Sequence, residues 1–199
     1  MKDATDRQPV VNSYVSDMLA LENHIAKALE SQLKDLAGYP SVTAELQTIL
    51  GTVRGHASAL ESLLQQRGGD SQSPIKKVGS RLLGFAAGAI DLVRSEGLPK
   101  NLRDDYTACS LATIGYVMLH TTGLSLDERE VGELAQRHLA NYARIVMTLH
   151  NVVPSAVIQF LQEEGLPATD DVLSEISENI EGVWREQSGQ VPDADEVRV

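Results

Sequence analysis

Residues 11–36 read VNSYVSDMLALENHIAKALESQLKDL, with apolar side chains at Val11, Val15, Met18, Leu19, Ile25, Ala26, Leu29, Leu33 and Leu36. Steps of three and four residues place these on one stripe of an α-helix. Glu22 alone interrupts the stripe. A carboxylate in the middle of an apolar face must find hydrogen-bond or metal partners across the core, because burying it unpaired is costly.

Outward from this segment the same period recurs. Gly38-Tyr39-Pro40 is expected to stop the first helix, with Ser41 or Thr43 capping a second along Leu46, Ile49, Leu50, Val53, Ala57, Leu60, Leu63 and Leu64. His56 is the polar residue on that stripe. After Gly68-Gly69-Asp70, Pro74 suits the first turn of a third helix over Ile75–Ser95. Gly79, Gly84 and Gly88 leave it almost no side-chain bulk, which fits either close backbone approach to a neighbour or a loosely packed crossover. A fourth helix, Leu102–Thr121, aligns Tyr106, Cys109, Thr113, Tyr116, Val117 and His120. Ser125, followed by Asp127, Glu128 and Glu130, is expected to start a fifth along Val131, Leu134, Ala135, His138, Tyr142, Ile145, Val146 and Leu149. His138 interrupts that stripe. Pro154 is expected to break or kink the chain before a short apolar segment, Ala156–Gln162. Thr169 then caps an acidic helix with a narrow stripe of Val172, Ile176, Ile180, Val183 and Trp184.

The fold class is all-α: an antiparallel four-helix bundle with a crossover helix and a C-terminal amphipathic helix. Its organisation reads as a disordered N-terminus (1–11), the bundle (12–165), the acidic helix (166–186) and a disordered acidic tail (187–199). Eight aromatics among 199 residues leave the core to aliphatic side chains. The net charge is −11; eleven of the 28 acids and two of the 17 bases lie in residues 160–199, so the body carries only −2. An acidic chain is not drawn to polyanions, which argues against nucleic-acid and anionic-membrane binding. The longest weakly polar stretch is read as Leu82–Val93, too short to span a bilayer. A polar start without an apolar run and the lone Cys109, a small core residue, fit the cytoplasm. No P-loop, Gly-x-Ser-x-Gly or His-Glu-x-x-His motif is present.

Glu22, His56 and His138 therefore form the candidate metal-ligating set, either as a hydrogen-bonded network with Tyr116 or Tyr142, or as a 2-His-1-carboxylate site for one ion. The order of helices, Asp17-Met18-Leu19-Ala20-Leu21-Glu22, His56 followed by Leu60 and Leu63, and Leu102-Arg103-Asp104-Asp105 leading to Ile114-Gly115-Tyr116-Val117-Met118-Leu119 together resemble the ferritin-like, stress-associated bundle proteins of the bacterial YciF type. The resemblance covers about residues 12–165 and implies a ferritin-like bundle in which Glu22 and His56 match. That family carries a Glu where this chain has Ala112, and a Glu-Glu pair near Arg137-His138. A di-iron bundle also pairs each ligating histidine with a Glu three residues earlier. Here those positions are Val53 and Ala135.

These departures imply a ferritin-like protein without an intact di-iron site, working as a non-catalytic binding or assembly module with a stress association. The alternative is a metal-binding protein for iron handling or oxidoreduction, holding iron or another transition metal at Glu22, His56 and His138. A third reading is a small-molecule carrier with a pocket among the glycine-lined helix and Tyr106, Tyr116 and Tyr142. No catalytic or cofactor-binding residue is assigned, and the reading leans away from an enzyme. A homodimer is expected, because the stripe of the C-terminal helix needs a cover from a second copy, a partner protein or the bundle itself.

Overall fold

The expected stripes become helices in a computed structural model that describes residues 7–36, 38–68 and 97–188. In chain order these are α1 (Arg7–Gln32), α2 (Pro40–Gln66), α3 (Leu98–Ser125), α4 (Arg129–Glu163) and α5 (Leu173–Ser188), with no strand among the described residues. The glycine-rich segment 75–95 lies outside the described residues, as does the tail from 189 onward. α1 starts at Arg7, five residues ahead of the expected bundle boundary, because Val11 already belongs to the stripe and is fully buried.

The chain divides into two units, residues 1–150 and 151–199. In the first, α1 packs on α2 and on α3. Contacts between α1 and α2 run from Asn12 with Arg67 to Glu30 with Arg54, and those between α1 and α3 from Arg7 with Leu126 to Gln32 with Asp105. Each pair is therefore antiparallel. α2 meets α4 at His56 and Asn141, and α3 meets α4 at His120 and Gly132. The interior is aliphatic: Val15, Leu29, Leu46, Val53, Leu60, Leu102, Leu119 and Ala135 are all inaccessible to solvent.

Several boundaries differ from the pattern reading, each for a local reason. Pro40 does not stop a helix but opens α2 from its first turn, where its missing N–H costs nothing. Thr43 does not cap through a backbone N–H; its hydroxyl donates back to the carbonyls of Leu36 and Tyr39. Ser125 ends α3 instead of starting α4. The turn after it has Asp127 at φ 59°, with the N–H of Glu128 on the Gly123 carbonyl and that of Asp127 on Leu124, the paired bonds of a Schellman closure.

Pro154 sits inside α4, which continues through it to Glu163. Reading the helix as broken there hid a longer apolar stretch than Leu82–Val93. α4 holds an 18-residue window of mean hydropathy 1.3, 22% buried, and is by length and composition alone long and apolar enough to cross a membrane. Its earlier turns are spent on the core, with Val131, Ala135, Tyr142 and Leu149 buried.

In the second unit α4 closes on Gly165 at φ 76°, with Leu166 N–H on Leu161 and Gly165 N–H on Gln162. The Thr169 hydroxyl accepts the N–H of Asp171 and leads the chain into α5, where Val183 and Trp184 are exposed.

Among the described residues of the first unit, close approach of helix backbones requires glycine at Gly123. A Cβ on Gly123 would stand 2.6 Å from the backbone nitrogen of Gly132, whereas one on Gly115 would meet only the flexible end of Met18. Gly123→Ala is expected to destabilise the fold by about 1–3 kcal/mol, since α3 and α4 must separate. Gly115→Ala should cost little or gain from helix propensity. Chemical denaturation of both variants measures the contrast.

Candidate metal centre

Helical spacing brings five polar side chains from four helices to one level of this bundle. Glu22 lies on the inner stripe of α1 one turn after Met18, and His56 on that of α2 three residues after Val53. Tyr116 follows Ala112 on α3, and His138 and Tyr142, four residues apart, share the inner face of α4. Glu22, Tyr116 and Tyr142 are inaccessible to solvent, and His56 and His138 nearly so.

Glu22 is the hub. Its Oε1 accepts the Tyr116 hydroxyl at 2.5 Å and lies 3.1 Å from His56 Nδ1, and its Oε2 accepts the Tyr142 hydroxyl at 2.7 Å. Tyr116 spends its proton on Glu22, so its oxygen accepts from His138 Nδ1, 3.0 Å away. The imidazoles of His56 and His138 stack, with centroids 3.9 Å apart and planes inclined by 16°. Three donors thus compensate a carboxylate withdrawn from water.

The geometry also fixes the tautomers. Arg144 donates to the Asn141 oxygen, which leaves the Asn141 NH₂ facing His56 Nε2 at 3.0 Å. That nitrogen therefore carries no proton, and Nδ1 donates to Glu22. Burial, the neighbouring His56 and Arg137 hold the His138 imidazole down at about 3, so it is neutral with its proton on Nδ1. Burial, reinforced by Glu22, pushes both phenols well above their usual range. The five side chains together carry one negative charge.

All three sequence-nominated residues converge, their candidate ligand atoms lying within 4.8 Å of one another. The tyrosines foreseen as network members are both present. Asn141 and Arg144 escaped the sequence reading, because an Asn beside a stripe and an Arg four residues before Thr148 look like ordinary solvated positions. A second buried polar pair was also missed. Gln32 donates to Asp105 Oδ1 at 2.8 Å, ten residues along α1 from Glu22, or about 15 Å at helical rise. Burial lifts the Asp105 carboxyl to about 7, with the Gln32 bond opposing and Asp104 adding to it, and Asp105 Oδ2 has no hydrogen-bond partner among the described residues. Cys109 is buried and unpaired as expected, its thiol pushed up by burial.

A carboxylate-bridged di-iron pair does not fit here. The positions three before His56 and His138 are Val53 and Ala135, and Ala112 lies one turn before Tyr116; all three are apolar and inaccessible. Among the described residues one carboxylate serves the whole group, which suits a single ion.

An antiparallel four-helix core with a cluster of polar side chains projecting inward is a ferritin-like fold. The chain belongs to the family described as a domain of unknown function, DUF892, which matches residues 12–162. No curated protein matches it. Among solved structures it is similar to a Xanthomonas campestris protein (TM-score 0.64, 14% identity, covering 81% of this chain and 99% of that one). It is also similar to the Desulfovibrio desulfuricans bacterioferritin, a structure described for its diiron site (TM-score 0.65, 16% identity, 88% and 91% covered). At these identities the likeness is one of fold.

Asp105 gives the fold a pH dependence of its own. Its folded pKa of about 7 lies above the ordinary 3.8, so its contribution is intact below pH 4 and is lost as pH rises through 7. Asp105→Asn is expected to remove that decline, worth up to about 4 kcal/mol, in denaturation curves measured from pH 4 to 8. An unchanged pH profile would place the effect elsewhere.

Proposed function

We propose that this chain is a metal-binding ferritin-like protein that holds one transition-metal ion at Glu22, His56 and His138. The observation that carries the reading is the meeting of those three side chains, from three helices, with ligand atoms within 4.8 Å in a largely aliphatic interior. Two neutral imidazoles and a carboxylate are the donor types of mononuclear non-haem iron sites, and an ion so held supplies Lewis-acid or one-electron chemistry. Because His56 faces Glu22 with Nδ1, this is the nitrogen that can share an ion with the carboxylate. The His56 proton then moves to Nε2, opposite Asn141, whose amide must turn to present its oxygen. Asn141 and Arg144 thus set the cost of loading.

The second reading is a metal-free bundle that acts as a binding or assembly module. It is favoured by the completeness of the network, in which Glu22 takes three donors and both nitrogens of His56 are engaged. A cytoplasmic, stress-associated role and a homodimer or partner covering the α5 stripe belong to either reading, on the family resemblance and the exposure of Val183 and Trp184.

Elemental analysis of the full chain after exposure to iron, manganese, cobalt or zinc separates the two. The metal reading expects about one ion per chain rather than two, lost in Glu22→Gln. Asn141→Asp, which offers an acceptor to His56 Nε2, is expected to tighten binding roughly tenfold, as partners behind a ligating histidine do. Metal-free protein in both variants and wild type, with helicity intact by circular dichroism, would select the assembly module.

A further inference from the structure

The Tyr116 hydroxyl touches two members of the candidate metal set, 2.5 Å from Glu22 Oε1 and 3.0 Å from His138 Nδ1. An ion that bonds both Glu22 and His138 is therefore placed within reach of the phenol oxygen. Tyr142 stands in the same relation to the second carboxylate oxygen, 2.7 Å away. Two ligands held about 2.1 Å from an ion and at right angles lie about 3.0 Å apart, so the spacings that make this hydrogen-bond chain are also those of adjacent ligands in one coordination shell. We infer that Tyr116 and Tyr142 join Glu22, His56 and His138 as phenolate ligands, making the centre a mononuclear ferric site.

Charge selects the oxidation state. A divalent ion balanced by Glu22 alone leaves one net positive charge at this buried level, which weakens its binding relative to an ion whose charge is fully matched. A trivalent ion with one carboxylate and two phenolates sums to zero. Hardness points the same way, since three anionic oxygens suit a small, highly charged cation better than the softer divalent metals. Binding is an exchange without electron transfer: the iron gives up the water or citrate ligands it arrives with, two phenolic O–H bonds break and their protons leave to solvent, the imidazole protons move from Nδ1 to Nε2, three iron–oxygen and two iron–nitrogen bonds form, and the iron stays ferric. A bound cation reverses the preference of a coordinating O–H for its proton, which makes this exchange accessible to hydroxyls that are neutral in the metal-free protein. Five protein donors also leave little room for an exogenous ligand, so the site fits tight ferric binding better than turnover at an open position.

The inference rests on the single-ion reading of Glu22, His56 and His138, and optical titration distinguishes the two. Metal-free full-length protein is titrated with ferric citrate, and the expected result is an intense visible phenolate-to-iron charge-transfer absorption that saturates at one iron per chain. Tyr116→Phe and Tyr142→Phe, which keep ring volume, should each weaken and shift the band. The double variant should lose it while still binding cobalt(II) through the remaining three ligands. Stoichiometric iron without a visible band would overturn the tyrosine ligation and leave the single-ion reading standing. No stoichiometric iron or cobalt in a fully helical protein would overturn both.

Discussion

Everything at the centre of this bundle follows from one carboxylate with no access to water. Glu22 lies on the stripe that drives α1 into the core, so the helix cannot pack without carrying the charge inside. Withdrawn from solvent, it needs donors, and the bundle supplies one each from α2, α3 and α4: the His56 imidazole and the Tyr116 and Tyr142 hydroxyls. Because the three donors come from three different helices, satisfying Glu22 also fixes how those helices register on α1. A one-turn slip of any helix would leave a buried charge short of a partner, a cost comparable to a large part of a domain's net stability.

The fold is similar to that of a bacterioferritin described for its diiron site, yet among the described residues Glu22 is the one carboxylate of the cluster here. Val53, Ala112 and Ala135 pack the space with apolar bulk and lower the negative charge of the centre to one. Tyrosine hydroxyls supply polar contacts at this level instead. This is a chemically different device from a carboxylate-rich pair, because neutral hydroxyls let the bundle fold with its hydrogen bonds complete and with no ion required. They keep the capacity to become anionic ligands when a strong Lewis acid enters.

Much of this was legible in the sequence, for a definite reason. Aliphatic stripes at helical spacing gave the helices of the body, and the only polar residues on three of those stripes, Glu22, His56 and His138, are the ones the fold brings together. Polar interruptions of an apolar periodicity are informative because their burial is fixed by the neighbours. Asn141 and Arg144 lacked such a marker, since they flank the stripe and act through hydrogen-bond polarity that spacing does not encode. Gln32 and Asp105 were hidden for a different reason: Gln32 sits where α1 ends, and Asp105, two turns into α3, follows the charged Arg103 and Asp104, surroundings that usually face solvent. Boundaries erred at proline. Pro40 and Pro99 open helices from their first turns, and Pro154 is tolerated within α4, so proline marked a place in a helix more often than its end.

The central claim is that Glu22 nucleates one coordination shell shared by two imidazoles and two phenols. Anomalous X-ray diffraction at the iron edge, on crystals of the full chain grown with equimolar ferric ion, tests it most directly. The account predicts one anomalous peak within bonding distance of Glu22, His56, His138, Tyr116 and Tyr142. Crystals in which Glu22 keeps the tyrosine and histidine hydrogen bonds described here, with no peak at that level of the bundle, would contradict it.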